Sequence, residues 1–336
     1  GAALSSRSDH DFGGLPDWAQ RPLVMQIFAQ AHALGGEARI VGGAVRDWLA
    51  NYPVGDIDMA INLPIETVAS HMVACDMRVV ETGLKHGTIT LYDDDDRIEL
   101  TQTRVDLETD GRHAIVAHDQ DWARDAARRD FTINALYLDS SGGIFDPLDG
   151  KTDLQDGRLR FAGDAGLRVQ EDALRMIRYC RFLPRFAATG IDPQAQTALR
   201  EHASLCAGLS GERIANEMRR IMVGGGLKEV ISLMQDTKID QATLGLSLDP
   251  SRLPNDDEIG SMITGLSANA NFAWLVNLAV AMPSGSATLL AKRLRLSRAE
   301  ERCLTRLDLG LDDDVMTMLS SARWRQAVYY LGDMAA

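Results

Sequence analysis

IVGGAVRDWLANYPVGDIDMAI, residues 40–61, is the stretch on which the reading of the whole chain turns. Taken with the residues just before it, ARIV predicts a strand, Gly42-Gly43 a turn, AVRDWLAN a short helix and YPVG a loop. DIDMAI, with apolar residues between polar ones, predicts a second strand. Residues i and i+2 of a strand face the same way, about 6.5–7 Å apart. Asp56 and Asp58 are therefore expected side by side. Two hard oxygen ligands at that spacing suit a pair of Mg²⁺ ions ~3.5–4 Å apart, the arrangement of two-metal phosphoryl chemistry. Read alone, such a pair is most often a solvated strand face. The turn upstream adds chemistry to it. Backbone N–H groups of Gly42 and Gly43, at a helix start, can approach a phosphate. Arg46, in the first helical turn, can hold phosphate oxygens bidentately. A glycine turn or a surface arginine is commonplace; both ahead of D-x-D within seventeen residues are not.

Working outward, PLVMQIFAQAHALG (residues 22–35) reads as an amphipathic helix stopped by Gly35 and Gly36. Downstream, VASHMVAC reads as a helix, and RVVETG, GTITLY and RIELTQTR as strands, with Asp93–Asp96 as a hairpin turn. The first 150 residues thus predict an α+β head with a mixed or antiparallel sheet. After DPLDG (Asp146–Gly150) the periodicity becomes helical, in RVQEDALRMIRYCRFL, PQAQTALREHASLC, SGERIANEMRRIM and LKEVISLMQ. Ser210 is placed to cap the third of these. VGGGLK (Val223–Lys228) reads as a joint, and residues 237–260, rich in Asp, Ser, Pro and Gly, as a long connection. Three parts are expected: a head over 1–150, an all-α neck over 151–226, and an all-α body and tail over 227–336.

At 336 residues the chain exceeds one ordinary core. No stretch approaches the ~20 apolar residues of a membrane span. The start, GAALSSRSDHDFGGLPDW, has no basic segment followed by an apolar run and does not read as a secretory signal. Four scattered cysteines without C-x-x-C spacing argue against a zinc site or a disulfide framework and point to the reducing cytoplasm. The net charge of −13 does not favour a polyanionic partner, but global charge does not preclude a local basic surface. Residues 168–220 carry nine Arg against six acidic residues, and 291–306 six Lys and Arg against two Glu.

EDALRMIRYCRF (residues 171–182) carries the most information about specificity. On one continuous helix, Asp172, Arg175, Arg178 and Arg181 follow one another at i, i+3 and form a polar stripe, with Leu174, Ile177 and Cys180 turned to the core. The stripe has two readings, an exposed ion-paired helix face or a base-recognition surface. In the second, a carboxylate only accepts hydrogen bonds and a guanidinium only donates them. Cytosine and adenine each offer an exocyclic amine beside a ring nitrogen acceptor, whereas uracil and guanine place an oxygen where that amine would be. Asp172 beside Arg175 would accept C and A and reject U and G.

IVGGAVRDWLANYPVGDIDMAI, ETGLKHGTITL, TRVDLETDGRHA, ARRDFTINAL, EDALRMIRYCRF and SGERIANEMRRI, in that order, closely resemble the motifs of the tRNA nucleotidyltransferase/poly(A) polymerase family, in its class II branch of the polymerase-β-like superfamily. The resemblance covers residues 38–225 and fades beyond. It implies template-independent addition of C, C and A to the tRNA 3′ end from CTP and ATP, with two Mg²⁺ ions and release of pyrophosphate. It implies that Asp172 and Arg175 template the incoming base. Arg129, Arg178 and Arg181 match nucleotide-contacting positions, and Asp130 and Asn134 match positions that support the site or the sugar. Glu99 on RIELTQTR is either a third metal-directed carboxylate or a solvent-facing strand residue. ETGLKHGTITL in place of a G-R-R-F form, and a retained LETDGRHAIVAH, favour full C-C-A addition over poly(A) synthesis or partial addition (A alone, or C-C alone). A catalytically inactive RNA-binding relative is the remaining alternative. His86, Trp48 and the methionines Met218, Met222 and Met234 read as structural.

Overall fold

A mixed seven-stranded sheet organises the N-terminal part of the molecule. The computed structural model describes residues 14–84, 87–109, 114–118, 121–253 and 273–310, and these divide into two compact units, Gly1–Asp164 and Ala165–Ala336. His86 and the acidic run Asp312–Asp314 lie outside the described residues, as do 1–13, 254–272 and part of LETDGRHAIVAH.

In the first unit the order is α1 (Pro22–Ala33), β1 (Ala38–Val41), α2 (Gly43–Leu49), β2 (Asp58–Ile61), α3 (Ile65–Ala74), β3 (Arg78–Gly83), β4 (Thr88–Tyr92) and β5 (Arg97–Gln102). There follow β6 (Arg104–Thr109), β7 (Ala114–His118), α4 (Trp122–Ala127), β8 (Tyr137–Leu138), β9 (Ile144–Phe145) and α5 (Gly150–Asp156). The sheet runs β3-β4-β5-β2-β1-β8-β9, and β6-β7 form a separate hairpin. β2 and β5 pair in parallel; the other described pairings are antiparallel.

Register decides which side chains share a face. Leu138, Ile40, Met59, Leu100 and Ile89 are successive cross-strand partners and stand in one fully buried row. They pack with Leu23, Val24 and Ile27 of α1 and Ile65, Val68 and Met72 of α3. Because side chains alternate along a strand, the neighbouring row of partners, Tyr137, Val41, Asp58, Glu99 and Thr90, points to the opposite face. Trp48 packs against the main core, as its sequence reading expects.

DIDMAI does not form one strand. Pairing starts at Asp58, opposite Val41, and Asp56 and Ile57 precede it without strand structure. The reason lies in the partner: β1 ends at Val41, and Gly42 turns the chain away with φ +69° and ψ −120°.

Gly150 shows how closely the backbone is packed near this sheet. A Cβ there would stand 2.2 Å from the Thr132 carbonyl oxygen, a backbone atom that has nowhere to move. Gly150→Ala is expected to lower stability by about 2–3 kcal/mol, as overpacking does, read as a lowered midpoint in denaturant unfolding. An unchanged midpoint would contradict this packing.

The second unit is helical: α6 (Ala165–Glu171), α7 (Leu174–Phe186), α8 (Pro193–His202), α9 (Gly211–Met222), α10 (Leu227–Asp236), α11 (Ile239–Leu244), α12 (Ala273–Ala281), α13 (Ala287–Leu294) and α14 (Arg298–Gly310). Ser210 caps α9 through its hydroxyl, which accepts from the Arg213 amide. Met218, Met222 and Met234 are buried.

Two expectations are corrected here. EDALRMIRYCRF is broken rather than one helix: Asp172 and Ala173 leave it between α6 and α7. Asp172 Oδ1 accepts from the Leu174 amide at 3.1 Å, the local side-chain-to-backbone bond by which Asp competes with helix continuation. Residues 237–253 are not a bare connection but contain α11 and a 3₁₀ turn at Pro250–Arg252. Their polar residues serve the fold, since buried Asp240 accepts from Ser247 Oγ at 2.9 Å and the Leu248 amide at 3.0 Å.

Candidate active site

The row Tyr137, Val41, Asp58, Glu99 supplies the geometry of the head site. Asp58 and Glu99 are direct partners on adjacent parallel strands, so their carboxylates leave the same face of the sheet. Asp58 is exposed at the start of its strand, yet partial desolvation raises its pKa above the ordinary carboxylate value, and the charges of Glu99 and then Asp56 raise it further, while Arg129 and Arg97 oppose the shift. The three carboxylates are therefore within electrostatic reach of one another, although Asp56 is not on the strand. Glu99 also accepts a hydrogen bond from Arg97. Among the described residues no His, Cys, Asp or Glu side chains are drawn into a closed metal-binding group. The donor set is nonetheless hard carboxylate oxygen, and the repulsion that raises the pKa of Asp58 is the charge imbalance a divalent cation relieves.

The Gly42 turn lies at the same end of β1 as Asp58, because Val41 pairs with Asp58. At φ +69°, Gly42 occupies backbone space that L side chains rarely adopt, and a Cβ would lie 3.6 Å from Arg129 Nη1 and 3.6 Å from the Asn134 carbonyl. Gly43 opens α2 directly after it. Arg46, expected to reach outward for phosphate, is turned inward: it is 7% exposed, donates to Asp47 Oδ1 at 2.8 Å and to Asn134 Oδ1 at 2.6 Å. Asn134 in turn donates to Asp130 Oδ1 at 2.9 Å, which also accepts from the Phe131 amide. Arg46, Asn134 and Asp130 thus form one braced chain behind the turn, and a single orientation of the Asn134 amide satisfies both bonds.

Arg129 is held by two residues that sequence reading did not single out. Its Nε donates to Tyr137 Oη at 2.9 Å and its Nη2 to Asp125 Oδ2 at 3.1 Å. The Tyr137 hydroxyl donates to that same Asp125 oxygen at 2.8 Å. Arg128 occupies the other oxygen, Asp125 Oδ1, through Nε at 2.9 Å and Nη2 at 2.8 Å. Burial would raise the pKa of Asp125, but the Arg129 and Arg128 charges and the Tyr137 hydroxyl outweigh it and leave the pKa lowered. A signal for Asp125 did exist, since it stands three and four residues before Arg128 and Arg129 on α4 and the residues just after it. Tyr137 gave none, because its meeting with Arg129 depends on how β8 joins the sheet.

In the helical unit, Asp172 and Arg175 are joined through the backbone, Arg175 N–H to Asp172 carbonyl at 3.0 Å. Their side chains are each engaged separately. Asp172 Oδ2 accepts from Arg213 Nη2 at 2.8 Å, and Arg175 Nη1 donates to Glu171 Oε2 at 2.7 Å and the Arg168 carbonyl at 3.0 Å. Arg181 donates to buried Glu217 at 2.7 Å and lies over the Phe182 ring, 4.2 Å from its centroid. Burial lowers the pKa of Arg181, and Arg178 and Arg220 act in the same direction, against Glu217. Arg178 also approaches Phe182, at 5.8 Å. Ile177 and Cys180 are buried as expected, whereas Leu174, at the helix start, is only half-buried. The structure thus retains the arginine cluster of the stripe but takes Asp172 off the helix.

Comparison with known proteins gives concordant results. Residues 38–160 match the family described as the poly A polymerase head domain, and residues 190–244 match one described as a probable RNA and SrmB- binding site of polymerase A. The chain is 42% identical over 216 residues to the mitochondrial CCA tRNA nucleotidyltransferase 1 of Danio rerio, covering 63% of this chain and 50% of that protein. It is 35% identical over 225 residues to the CCA-adding enzyme of Geobacillus thermodenitrificans, covering 66% and 54% respectively. The chain therefore spans about half the length of the curated relatives it matches. The Bacillus stearothermophilus CCA-adding enzyme, solved in complex with CTP, superimposes with a TM-score of 0.61 at 26% identity, covering 91% of this chain and 71% of that one. An apo CCA-adding enzyme shares the fold at 19% identity, with a TM-score of 0.69 over 94% of this chain and 80% of that one.

Proposed function

The chain belongs to the tRNA nucleotidyltransferase/poly(A) polymerase family, and from that premise we propose that it adds C, C and A to the 3′ end of tRNA from CTP and ATP, releasing pyrophosphate. The observation that carries the reading is the Asp58–Glu99 cross-strand pair beside the Gly42 turn, with Arg129 between carboxylates and turn. Transfer is assigned to a head over residues 1–150, base recognition to a neck over 151–226, and tRNA binding to 227–336.

The head residues divide the work. Asp56 and Asp58, with Glu99 as the third carboxylate, would hold two divalent cations, Mg²⁺ by the oxygen-only donor set. Such ions supply charge neutralisation at the triphosphate and activation of the 3′-hydroxyl. The Gly42 amide, expected to face phosphate, already donates to the Leu136 carbonyl at 3.1 Å, so the Gly43 amide and the Arg129 guanidinium orient the triphosphate by hydrogen bonds and charge. Arg46, Asn134 and Asp130 keep the turn in the shape that allows this. In the helical unit Asp172 and Arg175 read the amine and ring nitrogen of C and A, with Arg178 and Arg181 adding positive charge nearby. No described helix is long and apolar enough to cross a membrane, and the four cysteines are free, which accords with work in a reducing cytoplasm.

The test is incubation with tRNA lacking its 3′ end, Mg²⁺ and each labelled nucleoside triphosphate. C-C-A addition that stops at three nucleotides is expected. Long A tails on arbitrary RNA would establish a poly(A) polymerase instead, and A alone or C-C alone a partial enzyme. No incorporation at all would sink the enzyme reading.

A further inference from the structure

Asp125 and Tyr137 both grip Arg129. Tyr137 Oη, Arg129 and Asp125 Oδ2 close a ring of three hydrogen bonds, at 2.9, 3.1 and 2.8 Å. The ring sits in an aromatic frame. Tyr137 is fully buried, with Trp122 edge-on at 5.6 Å and Phe145 at 5.9 Å. Asp125 is 1% exposed and is anchored through its second oxygen by Arg128. Burial raises the pKa of Tyr137, so its hydroxyl remains a neutral donor. The guanidinium plane is thereby fixed at Nε and Nη2, and the remaining nitrogen, Nη1, faces the Gly42 turn, 3.6 Å from where a Cβ would stand. A planar donor fixed at two of its three nitrogens has little freedom left for the third.

We propose that Tyr137 and Asp125 are positioning residues that lock Arg129 with Nη1 on the Gly42 turn, and thereby set affinity for the phosphates of the incoming nucleotide whatever its base. The inference rests on the proposed function in taking a nucleoside triphosphate as the ligand. Tyr137→Phe is the informative variant, because it removes one hydroxyl and keeps the ring between Trp122 and Phe145. Without that hydroxyl, Arg129 loses its Nε anchor, and Asp125 Oδ2 is left with a single partner.

The experiment is equilibrium binding of CTP and of ATP, with Mg²⁺, to the full chain and to Tyr137→Phe, Arg129→Ala and the double variant. Tyr137→Phe is expected to weaken both nucleotides about tenfold and equally, the size of one lost hydrogen bond to a charged group. In the Arg129→Ala background it should add nothing, since residues that act through one partner are not additive. Full additivity, or unchanged affinity in Tyr137→Phe, would overturn the inference. So would a weakening of one nucleotide only, which would place Tyr137 in base recognition. Asp125→Asn, which keeps the volume but removes the charge and replaces one accepting oxygen with a donating nitrogen, should weaken both nucleotides at least as much. A wild-type chain that binds both nucleotides but extends no tRNA would refute the proposed activity and leave this inference standing. A wild-type chain that binds neither nucleotide would refute both.

Discussion

Asp58→Asn is expected to abolish transfer from CTP and ATP alike, by about 10⁴-fold or more, the scale on which removal of a metal-directed carboxylate stops phosphoryl chemistry. The loss should not depend on the base, because Asp58 belongs to the sheet, whereas base recognition is proposed for the helical unit. The same variant should be at least as stable as the parent at neutral pH. Partial desolvation, Glu99 and Asp56 raise the pKa of Asp58, so the folded chain holds that proton more tightly than the unfolded chain. Stability contributed by the protonated carboxyl is present at low pH and is lost as pH rises through the ordinary carboxylate range to the raised native value. Asp58 is exposed, so water screens much of this repulsion, and asparagine is expected to relieve only a small strain at neutral pH. Adding Mg²⁺ should raise the melting temperature of the parent and act much less on the variant, by the mass-action stabilisation of a ligand that binds only the folded state. Transfer that persists in Asp58→Asn, or an equal response of both proteins to Mg²⁺, would refute the assignment.

Asp172→Ala should leave transfer in place and relax its selectivity, with UTP and GTP gaining on CTP and ATP by about 10²-fold or more, the discrimination lost when a polar recognition site no longer leaves the wrong base unpaired. Its carboxylate also accepts from the Leu174 amide and from Arg213, so removal loosens the start of α7 as well. Asp172→Asn separates the two effects. The amide oxygen still accepts the Leu174 N–H, while the amide nitrogen offers a donor to the oxygen that U or G presents. Relaxed selectivity in both variants supports templating by this side chain. Normal selectivity in both, with transfer retained, would refute it.

Much of the head was legible in sequence because its signals are local. Alternation in GTITLY and RIELTQ marks two strands, the Asp93–Asp96 run marks the turn between them, and Gly35-Gly36 marks the end of α1. The order of glycine turn, arginine and acidic pair marked the candidate site. Spacing was less reliable wherever a partner had a vote. The i, i+2 argument set Asp56 and Asp58 on one strand, but β1 stops at Val41, so only Asp58 pairs. The i, i+3 argument ran a helix through Asp172, but its carboxylate bonds the Leu174 amide and the helix restarts beyond it. Arg46 has the position of a surface phosphate ligand by sequence, yet Asn134, eighty-eight residues away, draws it inside.

By itself, the sequence determined an α+β head followed by helices, and its acidic pair and EDALR segment carry the resemblance to the tRNA nucleotidyltransferase/poly(A) polymerase family. Tertiary structure decided which groups meet. β2 lies beside β5, so Asp58 stands opposite Glu99; β8 lies beside β1, so Tyr137 reaches Arg129. Periodicity and capping are properties of neighbours in the chain, whereas strand order and register are settled by burying a row such as Ile40, Met59 and Leu100. That burial places the opposite row, Asp58 and Glu99 included, on the face where the chemistry is proposed to occur.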